Sequence, residues 1–286
     1  MYSILFLIGA QRSCTTLLAK MLAPHPAILL TIEGKLLYYL ITWVARDPFI
    51  NPGAHLRLDE IAHSITRRPV TGISELEQHR MRRALLTRFR PSRFRTMDRR
   101  EIIRTIWCGV YEEIKGNRVV IGDKYNEYLL QLPEIIGLFP EARFIFLHRN
   151  PVDAAESMMR SFKDRPWAVE TPEDGLRKWA QWNGEWLRWR STVPPAHRLE
   201  IAATCLFSKP EETMRSIGDF LRVEFAPKYL SEVAGWIQPD RAGRGQGLVV
   251  DWISVQEQAP YFWTVSNALG YRHERVKMPT ASLSAS

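Results

Sequence analysis

The chain opens with an apolar run over 3–9, which is followed by a short polar turn and a helical pattern from Thr15. An uninterrupted apolar run predicts a strand that is buried on both faces of a sheet. Where such a strand passes through a tight loop into a helix, backbone N–H groups and the positive end of the helix dipole face one point. The junction also carries Arg12, Thr15 and Thr16. It therefore indicates a phosphate or sulfate site, with a plain polar turn as the open alternative.

A common phosphate loop with this arrangement has the pattern G-x-x-x-x-G-K-[ST]. If that pattern is aligned on Gly9, its second glycine falls on Cys14 and its lysine falls on Thr15. The lysine that would reach the β and γ phosphates of a nucleotide is therefore absent, and the cation stands earlier in the loop, at Arg12. These differences disfavour an ordinary ATPase or GTPase.

Apolar runs alternate with helical periodicity along most of the remaining chain. Further strands are predicted over 27–32, 118–122, 142–147 and 199–203, and helices over 15–23, 35–46, 57–67, 75–89, 98–115, 126–139, 174–190 and 209–222. This alternation predicts an α/β fold, a P-loop-like parallel sheet flanked by helices on both faces. We expect one domain over 1–275 with an arginine-rich helical insertion at about 55–115, and a disordered tail over 276–286.

A second strand–loop–helix junction follows the predicted strand 142–147. Asn150 is a favourable helix N-cap, and Pro151 suits the first helical position, where its missing N–H costs nothing. Arg149 then lies in the loop, and Ser157 lies two turns into the helix. Because ligands of parallel sheets bind beyond the carboxyl ends of the strands, both junctions are expected to open onto one cleft.

Composition limits the class of protein further. No run of eighteen uncharged apolar residues occurs, and the N-terminus lacks the basic segment of a secretory signal. The three cysteines, Cys14, Cys108 and Cys205, are too scattered for a disulfide framework or a zinc site. We therefore expect a cytoplasmic protein without a metal site.

The net charge of +8 has a local origin. The segment from Arg67 to Arg104 holds twelve arginines and four acids, and the difference of eight equals the whole excess. A general nucleic-acid binder would not confine its charge in this way, so no specific nucleic acid partner is expected. A solvated helix face is the first interpretation of the segment. Contact with an anionic acceptor or with membrane headgroups is the alternative.

Two motifs more than a hundred residues apart resemble those of one family. Gly9-Ala-Gln-Arg12-Ser13-Cys14-Thr15-Thr16 resembles the 5′-phosphosulfate loop of sulfotransferases that use 3′-phosphoadenosine 5′-phosphosulfate (PAPS). Arg149-Asn-Pro-x-Asp153-x-x-x-Ser157 resembles their 3′-phosphate motif, and Gly122-Asp123-Lys124 is similar to the stretch that leads into it. The resemblance covers about 1–35 and 118–222 and is closest to the bacterial and Golgi-type enzymes. A departure is Cys14, where the family usually has glycine.

The resemblance implies transfer of a sulfuryl group from PAPS to an acceptor hydroxyl by in-line displacement, without a metal. Arg12 would contact the sulfonate and the bridging oxygen, and the remaining loop residues Ser13, Cys14, Thr15 and Thr16 would complete the cradle. Arg149 and Ser157 would hold the 3′-phosphate. Arg241 and Arg244, in the glycine-rich segment 240–247, are candidate nucleotide contacts; a flexible surface loop is the alternative for this segment.

Two further residues are candidates for the chemistry. Glu33 follows a strand-like run, and the resemblance implies that it accepts the proton of the acceptor hydroxyl. The alternative is a surface carboxylate at the start of the next helix, where the dipole favours acids. Lys124 is a candidate for steadying the sulfonate, with an ion pair to Asp123 or to another acid as its alternative.

Several features are open to more than one interpretation. Four tryptophans share one helical face, which favours a core or pocket wall over a sugar- or lipid-stacking role: Trp179, Trp182, Trp186 and Trp189. His25 and His148 are predicted to be structural. Two alternatives to a sulfotransferase stay open. One is a P-loop nucleotide kinase or phosphotransferase, and the other is an inactive nucleotide- or nucleic-acid-binding module. The acceptor (a carbohydrate, a lipid or another small molecule) and the oligomeric state stay open.

Overall fold

A computed structural model describes residues 2–43, 58–89, 94, 96–163, 165–237 and 244–271. Its five strands are β1 (Ser3–Ile8), β2 (Ile28–Ile32), β3 (Val120–Lys124), β4 (Arg143–His148) and β5 (Arg198–Ala202). They form one parallel sheet in the order β2-β3-β1-β4-β5. The α/β class and the parallel sheet predicted from the sequence are confirmed.

Helices connect the strands and cover the sheet. Within the described ranges they are α1 (Thr15–Leu22), α2 (Leu36–Trp43), α3 (Leu58–Thr66), α4 (Glu75–Thr87), α5 (Arg99–Ile114), α6 (Leu132–Leu138), α7 (Pro151–Phe162), α8 (Pro172–Trp189), α9 (Ala203–Ser208), α10 (Pro210–Leu221), α11 (Pro227–Ala234), α12 (Trp252–Gln258) and α13 (Phe262–Ala268). The helices α2 to α5 all lie between β2 and β3 and are called the insertion below. Of these, α3 to α5 lie in the range of about 55–115 that was predicted as a helical insertion, whereas α2 precedes it. In the described ranges, no helix is long and apolar enough to span a membrane.

The central strand β1 is buried on both faces, because alternate residues enter two separate cores. Phe6 enters the core that contains Trp107 and Phe139, whereas Leu5 and Leu7 enter the core on the opposite face. The Phe6 ring lies 5.8 Å from the Trp107 ring and 5.7 Å from the Phe139 ring, centroid to centroid. With both faces filled, the carboxyl edge of the sheet is left as the place where a ligand can approach the loops.

The tryptophan-rich face of α8 belongs to the core. Trp179 and Trp186 are fully buried, and Trp182 is almost so. The Trp186 ring stacks on Phe146 of β4 at 4.9 Å. The core interpretation of these residues therefore holds, and the stacking role for a sugar or lipid does not.

Several sequence-based assignments differ from the structure. The predicted helix 126–139 is a 3₁₀ helix over Asn126–Gln131 followed by α6. A continuous α-helix would need an N–H at Pro133 to bond the Leu129 carbonyl, and proline has none. Strand β3 extends two residues past its predicted end, so Lys124 is the last strand residue rather than a residue beyond the strand. Helices α9, α11, α12 and α13 were not predicted.

The insertion is fixed to the free edge of the sheet. The Ile32 N–H donates to the Thr71 carbonyl at 2.8 Å, as one antiparallel bridge on the outer edge of β2. Next to it, α4 begins with a capping box in which Ser74 and Glu77 satisfy each other's backbone N–H groups. Glu77 also accepts a hydrogen bond from Arg118 at 2.6 Å, which ties α4 to the residues just before β3.

Candidate active site

The loop after β1 holds two residues in the left-handed region. Arg12 has φ of 65° and Cys14 has φ of 68°, and Cys14 is the N-cap residue of α1 without a side-chain hydrogen bond to the helix. A residue with a Cβ costs about 1–2 kcal/mol in this conformation, whereas glycine adopts it freely. The loop therefore requires at residue 14 backbone angles that glycine adopts more easily than cysteine.

Two buried polar atoms of this loop have no hydrogen-bond partner in the described part of the chain. They are Ser13 Oγ and Gln11 Oε1, and Ser13 has no exposed surface at all. A buried hydroxyl without a partner costs about 1–3 kcal/mol. Such an unsatisfied group beside a helix N-terminus is a feature expected of a loop whose partner is a bound anion.

The two sequence motifs meet at the junction of β1 and β4. Arg12 Nε donates to Ser157 Oγ at 2.9 Å, and Arg149 Nη1 lies 3.5 Å from the Arg12 carbonyl oxygen. Arg149 and Ser157 are both buried. The Arg149 backbone is held by Trp179, whose Nε1 donates to the Arg149 carbonyl at 2.9 Å. Groups that are 137 and 145 residues apart in sequence thus form one continuous polar cluster.

The helix that carries Ser157 starts as the sequence predicts. Asn150 Oδ1 accepts hydrogen bonds from the N–H groups of Val152 and Asp153, and Pro151 is the first helical residue. Ser157, whose Oγ accepts the hydrogen bond from Arg12, lies one turn after this capped first turn.

The glycine-rich C-terminal segment packs against this turn. The Gly245 N–H donates to Asp153 Oδ1 at 2.8 Å. A Cβ at residue 245 would lie 2.7 Å from the Val152 carbonyl carbon, so only glycine fits there. Gly245 is thus buried against the 149–157 motif rather than lying in a free surface loop. Of the two arginines predicted here, Arg241 lies outside the described residues, and for Arg244 the structure describes only the backbone.

Glu33 and Lys124 form an ion pair one strand further along the rim. Lys124 Nζ lies 3.1 Å from Glu33 Oε1 and 2.8 Å from Asn126 Oδ1, and the Lys124 side chain is 1% exposed against 49% for Glu33. Asn126 Nδ2 donates in turn to the Gly9 carbonyl at 2.7 Å and lies 3.4 Å from Thr15 Oγ1. The acid partner considered for Lys124 is therefore Glu33 and not Asp123. Asn126 links this pair to the loop after β1.

Asp123 is the anchor of the turn that carries Glu33. Its carboxylate is completely buried and accepts four hydrogen bonds, from Thr31 Oγ1 (2.8 Å), Gly34 N (3.1 Å), Lys35 N (3.1 Å) and Tyr128 OH (2.7 Å). Burial raises the pKa of Asp123, and the hydrogen bonds oppose that rise. Glu33 and Lys35 both have φ of 60°. A turn with two such residues persists only where its surroundings fix it, and the Asp123 carboxylate does so.

The roles of Asn126 and Tyr128 were not predicted from the sequence, and Asp123 was considered only as an ion-pair partner of Lys124. The sequence feature that could have indicated them is a group of three polar residues, Asp123, Lys124 and Asn126, at the end of an apolar strand. Of the remaining predicted loop residues, Thr15 is buried and Thr16 is exposed at the start of α1.

The histidines and possible metal ligands add no chemistry to this cluster. His25 bonds the Glu224 carbonyl, and His148 bonds the Tyr271 hydroxyl at 2.8 Å. Burial lowers the pKa of His148 to about 4. Among the residues that the structure describes, no group of His, Cys, Asp or Glu side chains could hold a metal ion.

The strand order places the candidate groups in a line. From β4 to β1, β3 and β2, the line runs through Arg149, Arg12, Lys124 and Glu33. Neighbouring strands lie about 4.8 Å apart, so three intervals span about 15 Å. An elongated anion can therefore occupy one end of the line while a neutral group approaches the other.

Comparison with known proteins agrees with this geometry. The model of the sulfotransferase family matches residues 5–227, and the chain therefore belongs to the sulfotransferase family. No curated protein matches the chain.

Solved structures of sulfotransferases share the fold. The sulfotransferase domain from the curacin biosynthetic pathway has 21% identity and a TM-score of 0.59, over 95% of this chain and 99% of that chain. The sulfotransferase domain from the Synechococcus PCC 7002 olefin synthase has 22% identity and a TM-score of 0.56, over 92% and 96%. Sulfotransferase STF9 from Mycobacterium avium has 14% identity and a TM-score of 0.56, over 96% and 78%. At these identities the likeness concerns the fold.

Proposed function

We propose that this chain transfers the sulfuryl group of PAPS to an acceptor hydroxyl by in-line displacement. The observation that carries the proposal is the contact between the two motifs, with Arg12 Nε on Ser157 Oγ and Arg149 beside the Arg12 carbonyl. One nucleotide with a phosphate at each end of its ribose can bridge two loops that touch. A donor with a single phosphate chain, such as ATP, needs only one of them.

The donor would lie along the β1–β4 side of the line. Its 5′-phosphosulfate would satisfy the buried Ser13 hydroxyl and the N–H groups at the start of α1, with Cys14, Thr15 and Thr16 in the same turn. Arg149 and Ser157 would hold the 3′-phosphate. Arg241 and Arg244 remain candidates, and Gly245, the neighbour of Arg244, lies against Asp153.

The acceptor hydroxyl would approach from the β2 side. Its oxygen attacks sulfur, the bond from sulfur to the 5′-phosphate oxygen breaks, and 3′,5′-adenosine bisphosphate (PAP) leaves. Glu33 takes the hydroxyl proton, and its half-exposed carboxylate can be reached by an acceptor. Lys124 and Arg12 offset the charge that develops on the sulfonate and the leaving oxygen. In this scheme the Lys124–Glu33 ion pair holds both groups at the rim before the donor arrives.

Calorimetric titration with PAP and with ADP tests the donor assignment. We expect clear preference for PAP, because ADP lacks the 3′-phosphate that Arg149 and Ser157 would bind. Equal affinity for the two would favour a P-loop phosphotransferase, although Thr15 stands where such an enzyme needs lysine. Absence of nucleotide binding, with salt-dependent binding of DNA or RNA, would favour a nucleic-acid module.

Glu33→Gln tests the catalytic assignment. The variant keeps the size of the side chain and loses the proton acceptor, so we expect it to bind PAP as the parent does and to lose sulfuryl transfer from labelled PAPS. Glu127→Gln is the matched control, because it makes the same exchange in the 3₁₀ helix beyond the site. Full activity of Glu33→Gln would contradict the role of a base.

A further inference from the structure

A shallow basic groove lies on the insertion, beyond the outer edge of β2. It has a volume of about 290 Å³ and is lined by Arg67, Arg68, Pro69, Glu75, Gln78, His79 and Arg82. Glu75 is the single acid among these lining residues, against three arginines. The groove belongs to neither the donor loops nor the Glu33–Lys124 pair.

Two sets of arginines among the described residues of the insertion differ in their contacts. Arg88, Arg99 and Arg104 lie within 3.5 Å of carboxylates and thus support packing between helices. Arg67, Arg68 and Arg82 are exposed, and none of the three has a carboxylate within 4.0 Å among the described residues. Clustered like charges without partners repel each other, so this second group does not contribute to packing of the fold.

The groove is rigidly built. Gln78 of α4 accepts a hydrogen bond from the Val70 N–H at 3.2 Å and donates to the Arg68 carbonyl at 2.7 Å. The Gln78 side chain thereby fixes the segment before Thr71 to α4, in which Arg82 lies one turn after Gln78. The three guanidinium groups thus extend from a backbone that is held in place on both sides of the groove.

The groove continues the line of candidate groups along the rim. The bridge between Ile32 and Thr71 is antiparallel. Moving from Thr71 back to Arg68 therefore follows the direction in which β2 leads into Glu33. Three residues span about 10 Å at most, so the groove begins on the order of 10 Å from the Glu33 turn. An acceptor whose hydroxyl lies at Glu33 can place its far end among the arginines.

We propose that the groove binds an anionic group of the acceptor, a carboxylate, phosphate or sulfate ester on the order of 10 Å from the reacting hydroxyl. The proposal rests on the proposed function, because it takes Glu33 as the place of the hydroxyl. Guanidinium forks match the oxygens of each of these groups. The acceptor is accordingly an acidic molecule, selected by charge at the β2 edge rather than by the donor loops.

The experiment uses acceptors of matched length and different charge. Straight-chain ω-hydroxyalkanoates and ω-hydroxyalkyl phosphates of increasing length are compared with the corresponding uncharged diols, by transfer of label from PAPS. We expect kcat/KM to be at least about tenfold higher for the anions once the acceptor chain is long enough to reach the groove. The difference should come from a lower KM for the anions. The preference should vanish at about 1 M NaCl, where the Debye length is about 3 Å.

The double variant Arg68→Gln/Arg82→Gln separates this inference from the proposed function. We expect it to lose the preference for anions while turnover of the diols and affinity for PAP stay unchanged. Arg83→Gln, on the same helix and exposed but outside the groove lining, is the control and should keep the preference. Equal kcat/KM of the parent protein for diols and anions would overturn the inference and would leave the proposed function unaffected. Failure to bind PAP would overturn the function itself.

Discussion

Asp123→Asn is the most informative single substitution outside the groups that contact substrate. In the parent, Asp123 Oδ1 accepts from Thr31 and from the Gly34 N–H, and Oδ2 accepts from the Lys35 N–H and the Tyr128 hydroxyl. Asparagine keeps one acceptor oxygen and replaces the other by an NH₂ group. The tyrosine hydroxyl can turn to accept a hydrogen bond, but the Lys35 N–H cannot and is left without an acceptor.

The expected cost follows from those contacts. A buried N–H without an acceptor costs about 1–3 kcal/mol. The exchange also removes a buried carboxyl whose pKa is raised by burial, and this offsets part of the loss. We therefore expect the free energy of unfolding to fall by about 1–3 kcal/mol. The larger effect falls on the turn, because Glu33 and Lys35 at positive φ each store about 1–3 kcal/mol. The Asp123 bonds to the Gly34 and Lys35 N–H groups help to hold both residues in that conformation.

The assay separates turnover from donor binding. Relaxation of the turn displaces the Glu33 carboxylate, and a displacement near 1 Å lowers the rate by about 100-fold. We expect that loss in kcat for transfer of label from PAPS, with PAP affinity by calorimetry within about twofold, because Asp123 does not touch the donor loops.

Tyr128→Phe is the matched control, since it removes one hydrogen bond to Asp123 and leaves both backbone N–H contacts. Its kcat is expected to fall by no more than about threefold. If Asp123→Asn retained full kcat while its stability fell, Asp123 would be a structural residue only, and the reasoning on the turn would be refuted.

Three further predictions concern single contacts. Cys14→Gly should remove the strain of a Cβ at positive φ and raise the free energy of unfolding, measured in urea titrations, by up to about 1 kcal/mol. This figure includes the entropic cost of glycine in the unfolded chain. Cys14→Ala keeps a Cβ, and an equal gain in that variant would exclude the backbone conformation as the cause. Gly245→Ala should weaken PAP binding by about tenfold or more, because the new Cβ would lie within 2.9 Å of backbone atoms of Val152 and Asp153. Gly247→Ala should leave PAP binding unchanged, because no atom lies within 4 Å of a Cβ at that residue. Equal effects of the two substitutions would contradict the packing of Gly245 against α7. The pKa of His148 is lowered from 6.5 to about 4, so the folded state favours the neutral ring. The free energy of unfolding should therefore fall by up to about 3 kcal/mol as the pH decreases from 6.5 toward 4. His148→Gln should flatten that part of the pH dependence, and an unchanged slope would contradict it.

The sequence was sufficient for those parts of the molecule that depend on neighbouring residues. The strand over Ser3–Ile8, the cap at Asn150 and the first helical position of Pro151 each follow from local patterns, and the structure has them at those positions. The parallel sheet also follows, because its alternation of strands and helices extends over most of the chain.

Contacts that depend on strand pairing could not be predicted in this way. Thr31 pairs with Asp123 and Ile32 with Lys124, because β2 and β3 are neighbours in register although some ninety residues separate them. That register alone brings the 33–35 turn to Asp123 and Glu33 to Lys124. The left-handed angles at Glu33 and Lys35 were equally invisible, because neither residue type favours them and tertiary contacts impose them.

The insertion leaves the sheet after β2 and returns to it at β3, the adjacent strand. Its length and sequence can therefore change while β1 and β4, with their loops, keep their places. Under the proposed function, substitutions in one continuous stretch of chain would change the acceptor without changing the residues proposed to bind the nucleotide. New acceptors are then best sought by exchanging that stretch as one segment.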